Sequence, residues 1–411
     1  MLMAATFRRN DAQGTSAAIA TGPNQKLPQH STQEGFLQRC QILGSEVAGR
    51  WADEADRDAR LPLESIEAMR GLRLLGAMLP ETMGGAGTTT AELASGIAAI
   101  SECCASSGLV LAMHQIQVAS LLRHRKSSDI EDFLKEVAAD QLLLASANSE
   151  VGLAGDRRRS IAALEELPGG GFRLVKDASA VSYGLAADAI VATARRHPNA
   201  APGDQVLAVL RPPKLQLRQI GGWDAFGMRA TCSVALHIEA ELPPGMVIDS
   251  YEEVFARTAR AVSTIFLAAV WLGIAEAAAK KAHRFVRNLA KQSPGATPPS
   301  ALKLAELAGR LQQLRQVIES AIAQYESTKD GPEILTFAAG ASMDMNKVAA
   351  SRLAVEVVER ALEICGIAGY ANNSPYSIGR LLRDVHSASL MISNDRIMHD
   401  VAHSLLVRKR L

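Results

Sequence analysis

Apolar positions fall into three regimes along the chain. From Glu34 to Asp140 they recur at three- and four-residue steps, as at Phe36, Cys40, Leu43 and Val47, which predicts amphipathic helices. Pro62, ahead of LESIEAMRGLRLLG, marks a helix start, and PETMGGAG (Pro80 to Gly87) reads as a loop. Thr90 to Cys104 and Gly108 to His124 read as two further helices, the latter apolar on nearly every side and so central. At Gln141 the period changes. Short apolar or alternating runs, from QLLLASANS to SVALHIE, are separated by turn clusters such as PGGG (Pro168 to Gly171), which favours a barrel or sandwich. From Tyr251 the helical period returns over Tyr251 to Gln292, Ser300 to Thr328, Pro332 to Cys365 and Tyr376 to Arg408, four long helices that predict an antiparallel bundle. The expected architecture is a multidomain α+β chain: a disordered tail over 1–33, an N-terminal helical domain over 34–140, a middle β-barrel over 141–249 and a C-terminal helical bundle over 250–411.

Composition narrows the partners. With 411 residues, 48% apolar and 21% charged, the chain reads as a soluble protein too long for one core. A net charge of +1 argues against nucleic acid or an anionic membrane as main partner. The longest uncharged run, Ala261 to Ala275, is shorter than the ~20 residues of a membrane span. Cys40, Cys103, Cys104, Cys232 and Cys365 form no CxxC pair, which suggests reduced thiols in the cytoplasm. No GxGxxG follows a strand, so no nucleotide-binding βαβ unit is indicated. His399 and His403 lack the Glu of a zinc HExxH, and no metal is expected.

Four stretches in this order resemble the acyl-CoA dehydrogenase superfamily: LPLESIEAMRGLRLLGAMLPETMGGAG, ASANSEVGLAGD (Ala145 to Asp156), KDASAVSYGLAADAIVATA and GGWDAFGMRATCSVALHIE. ASANSEVGLAGD resembles the family's TEPxAGSD turn, with Ser149 and Glu150 in the Thr-Glu places and Gly155 where a substrate-contacting Ser is usual. KDASAVSYGLAADAIVATA resembles the WITN strand, with Ala180 at the Trp and Ser182 at the Thr beside flavin N5. The resemblance implies FAD, contacted by Ser146, Asn148, Ser149, Ala180 and Ser182 and, from the C-terminal domain, by Glu363, Gly366, Asn394 and Arg396. It also implies a homotetramer or dimer, an acyl-CoA or acyl carrier protein substrate, and an electron-transfer partner or flavin reductase. Ser149 and Ser182 fit equally as turn caps when read without the family.

The sequence departs from the family at the proton acceptor. Counting from Arg383-Asp384, the place of the usual catalytic Glu holds Ile392. The alternative place, on the first helix of the bundle, holds Ser263, and its neighbour, often Arg, is Thr264. The family's RxQFG segment for the FAD pyrophosphate has no counterpart. Asp395, one turn beyond Ile392, is a candidate replacement base, and it also fits as a helix N-cap. His386, in RDVHSAS, resembles a His of flavin monooxygenases built on this fold, and it also fits as a bonded interface residue. The leading expectation is an α,β-dehydrogenase of acyl thioesters, with Gly155, Ser263, Thr264 and Ile392 near substrate. The alternatives are a monooxygenase using reduced flavin and O2, or a relative without catalysis.

Overall fold

A computed structural model describes residues 35–153, 156, 158–292, 295 and 297–407. The tail over 1–33 and Gly155 lie outside the described residues.

The chain begins with helices α1 (Phe36–Ile42), α2 (Gly49–Arg57) and α3 (Leu63–Gly71), followed by α4 (Thr90–Cys103), α5 (Ala105–His124) and α6 (Ser128–Asp140). A capping box in which Thr89 and Glu92 satisfy each other's backbone N–H groups starts α4. Helix α5 is buried all round, as its uniformly apolar sequence predicts. Its histidine is bonded inward: His114 Nε2 bonds to Leu75 O at 2.8 Å, and its Nδ1 accepts from Leu144 N at 3.0 Å. With Nδ1 accepting, the ring carries its proton on Nε2.

The middle domain contains β1 (Leu144–Ala147), β2 (Leu164–Glu166), β3 (Phe172–Val181), β4 (Ala189–Arg195), β5 (Gln205–Leu210), β6 (Leu215–Gly221), β7 (Val234–Leu242) and β8 (Val247–Ile248). The strands form two four-stranded sheets, in the orders β1-β4-β5-β8 and β2-β3-β7-β6, rather than one continuous ladder. Pairing is antiparallel except between β1 and β4. A register shift between Ala178 and Val181 bends β3 as it delivers Ala180 and then Ser182. Below this bend, Lys176 is buried against Glu150 at 2.8 Å and donates to Thr193 O at 2.6 Å. Burial alone would raise Glu150, but Lys176 and the Ile161 and Ala162 N–H groups outweigh it and hold the carboxyl below its ordinary range. The pair fixes the turn that carries Asn148 and Ser149.

The C-terminal domain opens with α7 (Tyr251–Val254), a π-turn and α8 (Arg260–Gln292), whose uncharged run packs at the centre with Trp271 fully buried. Next come α9 (Ser300–Thr328), α10 (Phe337–Cys365) and a short α11 (Ile367–Tyr370). The expected fourth long helix over 376–408 is instead three pieces: α12 (Gly379–Val385), α13 (Ser387–Leu390) and α14 (Asn394–Val407). The break has a physical cause. Met391 is extended, and Ile392 has φ 52°, a left-handed conformation that a β-branched residue holds only when its surroundings force it. The force comes from Lys347 on α10, which is buried. Its ammonium donates to Ala388 O at 2.9 Å, Ile392 O at 2.7 Å and Asn394 Oδ1 at 2.7 Å. All three of its protons are thereby used, two of them on backbone carbonyls that an unbroken helix would have paired internally.

Candidate active site

Two cavities meet at this break. The inner one, of about 440 Å3, lies where the three domains join. Its walls are α5 (Leu109, Met113, Gln117), the ends of β1 and β3 (Ser146, Asn148, Ala180, Ser182), the strap 223–233, α8 (Ser263, Leu267) and the α12–α13 corner with His386. The outer one, of about 400 Å3, is lined by Ser149, Thr264, Lys347 and Arg396 among others. Ala180, Leu390, Met391 and Ile392 belong to both.

Long-range polar contacts hold the α12 corner. Arg380 Nε donates to Asp53 at 2.7 Å, and Arg383 grips Asp56 with both terminal nitrogens. The buried Asp384 accepts from Met228 N at 2.7 Å. Burial pushes the Asp384 carboxyl up to about 6, against the pull of Arg380 and the Met228 N–H. The strap approaches so closely that a Cβ on Gly227 would collide with the Arg383 carbonyl. Thus the RD pair read from the sequence ties the corner to α2 and to the strap, and Asp384 is not placed as a base.

The strap also organises a hydroxyl relay. Thr231 Oγ1 donates to Met228 O at 2.9 Å and bonds to Ser233 Oγ at 2.8 Å, and Ser233 Oγ bonds to Ser182 Oγ at 2.8 Å. With the Thr231 proton on Met228, Ser233 donates to Thr231 and Ser182 to Ser233. Ser182 is left with lone pairs for an N–H donor in the cavity. The Phe226 ring packs 6.2 Å from that of His386, whose Nε2 lies 3.9 Å from Glu359 Oε1.

The residues expected from the sequence separate in space. Ser146, Asn148, Ala180, Ser182, Ser263, His386 and Ile392 line the inner cavity; Ser149, Ala180, Thr264, Ile392 and Arg396 line the outer. Asp395 lines neither and is exposed, because it begins α14 on the side away from the break. Asn394 is buried, but between Lys347 and Ser351, where its Nδ2 donates to Ser351 Oγ at 3.0 Å. It is a structural residue of the break. Glu363, exposed and paired with Arg360 at 3.2 Å, and Gly366, the left-handed end of α10, line neither cavity of this chain. Sequence reading missed Gln117, the Thr231–Ser233 relay and Lys347. Lys347 leaves one legible trace, a lone cation on the stripe Gly340, Met343, Ser351 and Ala354 that α10 buries.

The inner cavity suits a flavin. Asn148 Oδ1 is buried with no hydrogen-bond partner among the described residues. An isoalloxazine edge carries the N–H donor such an atom lacks, and Ser182 offers a second acceptor nearby. Among the described lining residues of this cavity there is no Asp or Glu.

Comparison with known proteins agrees with this geometry. The model of the acyl-CoA dehydrogenase N-terminal domain matches residues 31–141, and that of the acyl-CoA dehydrogenase C-terminal domain matches residues 265–395. The amino sugar nitrososynthase DnmZ of Streptomyces peucetius is 28% identical over 82% of this chain and 84% of its own. The FMN-bound structure of TdsC from Paenibacillus sp. A11-2, a dibenzothiophene monooxygenase, superposes with a TM-score of 0.80 at 20% identity over 90% of this chain and 97% of its own. Butyryl-CoA dehydrogenase of Megasphaera elsdenii gives a TM-score of 0.79 at 19% identity, over 94% of this chain and 100% of its own. The chain belongs to the acyl-CoA dehydrogenase superfamily, whose members are flavin oxidoreductases.

Proposed function

We propose that this chain is a flavin-dependent monooxygenase that takes reduced flavin from a separate reductase and oxygenates an uncharged aromatic or amine substrate. One observation carries the reading: among the described residues, the cavity that suits the flavin holds no carboxylate. Dehydrogenation beside a thioester needs a carboxylate within hydrogen-bond reach of the α-carbon. Ile392 and Ser263 occupy both places where the family puts one, and Asp395 points elsewhere. Oxygenation needs no such base. Reduced flavin supplies two electrons and two protons; one oxygen atom of O2 enters the substrate and the other leaves as water.

The chain's own residues fit that task. The apolar walls of α5 and α8 exclude water from the reacting groups. Ser182, its proton turned toward Ser233, would offer a lone pair to an N–H of the reduced flavin ring. His386 stands at the edge of the cavity and holds or delivers the proton that water formation requires. The amino sugar nitrososynthase relative supports an amine as one substrate class.

The test is direct. Purified protein supplied with FAD, NADH and a flavin reductase should consume O2 and form oxygenated product from a panel of amines and aromatics. Anaerobic titration with acyl-CoAs of several chain lengths should leave the oxidised flavin spectrum unchanged. Bleaching by any acyl-CoA would return the assignment to dehydrogenation, and inertness in both assays would leave a relative without catalysis.

A further inference from the structure

Two histidines meet opposite kinds of partner. His114 has a carbonyl on one ring nitrogen and an amide N–H on the other, the pattern of a neutral ring. His237, on β7, has a carboxylate on each. Asp177 Oδ1 lies 2.6 Å from its Nδ1, and Glu239 Oε1 lies 3.0 Å from its Nε2. Ionised carboxylates only accept, so both ring nitrogens donate and the ring in this arrangement is an imidazolium. A neutral ring has one N–H and satisfies only one of the two. Arg218, the register partner of His237 on β6, opposes the charge, and Arg173 of β3 shares Glu239 at 3.3 Å. The hydrogen bonds to Asp177 and then to Glu239 outweigh Arg218 and hold the imidazole above its ordinary range.

The position of this cluster gives it a role. Asp177 is the partner of His237 across the β3–β7 ladder, one residue before the register shift that skips Ser179 and Ala180. Beyond that shift β3 delivers Ala180 and Ser182 to the inner cavity. The preceding residue, Lys176, faces the other way and is sealed against Glu150. Strand β3 therefore carries two ion pairs on successive residues ahead of its bend, one dry and one in reach of solvent protons. Of these groups, the imidazole is the one whose ordinary pKa lies near neutrality.

We propose that His237 is a pH-sensitive clip: as an imidazolium it fastens β3 to β7 just ahead of the bend that presents Ser182 to the flavin cavity, and on losing a proton it lets go of one carboxylate and loosens the hold on flavin. The sign follows from the direction of the shift. The clip is fully closed below about pH 6.5, the value of an unfolded histidine, and opens as pH rises through the higher value of the folded ring. Flavin is held best in mildly acidic solution and given up as the medium turns alkaline.

Two variants of the full chain bracket the switch. His237→Arg keeps a multidentate cation at every pH, and His237→Gln keeps one N–H and no charge. Affinity for FAD, read from the quenching of its fluorescence, is compared with that of the Arg variant at pH 6 and pH 9, so that pH effects common to all chains cancel. The parent should match the Arg variant at pH 6 and fall to the level of the Gln variant, about threefold weaker, at pH 9. In the parent, nitrogen NMR of labelled histidine should show both ring nitrogens of His237 protonated at pH 6.5 and the ring titrating above that value. A parent-to-Arg ratio that does not change with pH, no FAD binding at either pH, or a ring titrating at or below about 6.5 would each overturn the clip. Should either variant fail to fold, the titration of the parent ring decides alone. None of these readouts needs turnover, so the outcome is independent of the oxygenase reading.

Discussion

The two cavities share a wall yet are built on opposite electrostatic plans. The inner one has mostly apolar walls interrupted by neutral groups, Ser146, Asn148, Ser182, Gln117 and Ser263, with His386 and the Asp56-paired Arg383 at its α12 corner. The outer one gathers Arg158, Arg260, Lys347 and Arg396 with Asp156, Asp344 and Asp400. Its charges are partly matched in pairs, Arg158 with Asp400 at 2.8 Å and Arg260 with Asp344 at 3.9 Å. The exposed Arg158–Asp400 pair of the outer cavity stays near water, where it costs little to keep and contributes little, whereas Lys347 is buried. A charge in the inner one would have to be desolvated, and the one guanidinium among its described lining residues, Arg383, is already paired with Asp56. Chemistry that depends on dry surroundings therefore suits the inner cavity better than the outer one. Between them stands the Ile392 break, held by one lysine.

The largest way to break this contrast is to remove that lysine. Lys347→Met leaves Ala388 O, Ile392 O and Asn394 Oδ1 without their donor, so urea unfolding should show a loss of about 4 kcal/mol, and flavin retention should fall with it. Acid comes next. Burial holds His114 down to about 4, so its neutral form supports the fold above pH 6.5. That support is lost as pH falls from 6.5 towards 4, by ~3 kcal/mol for this residue alone. Asp384, raised to about 6 by burial, works in the opposite direction: it stabilises the fold at low pH, and that contribution is lost as pH rises through about 6. A pH series of unfolding midpoints should therefore fall more steeply below pH 6 in Asp384→Asn than in the parent chain; a shallower fall would contradict these directions. His386→Ala should lower product formation about 10²-fold while O2 is still consumed to hydrogen peroxide, seen by comparing product with oxygen uptake. At the small end, Asp400→Asn breaks an exposed pair in the outer cavity and should change stability by less than about 0.5 kcal/mol. A large effect there would mean the outer charges are not the solvated set described above.

The sequence revealed the elements well and their junctions poorly. Helix α9 spans the residues its period predicts, Ser300–Thr328, because a long amphipathic pattern with clear ends leaves little to tertiary context. Counting from fixed anchors also pointed to Ile392 and Ser263, and both line the inner cavity, which has no Asp or Glu among its described lining residues. The division of the last helix was not legible. The capping residues of SND mark a helix start, and Ser393 Oγ does accept from Arg396 N, but the left-handed turn before them depends on Lys347, more than forty residues earlier in the chain. Gln117 was hidden for another reason. A helix buried on every side has no polar face against which an inward amide stands out, so periodicity cannot say which of its polar residues meets a cavity. Asp395 was misplaced because one helical turn in sequence becomes a different direction once the turn at Ile392 is left-handed.

The grip of Arg380 on Asp53 and of Arg383 on Asp56 spans 327 residues in each case. During synthesis, α2 must wait for nearly the whole chain before its carboxylates meet their partners, and the strap waits equally for Asp384. Early domains can settle on their own, but the pocket cannot close until the last segment arrives. Flavin capture is therefore a late event in biogenesis, and a bound, fluorescence-quenched flavin would report that the whole chain has assembled.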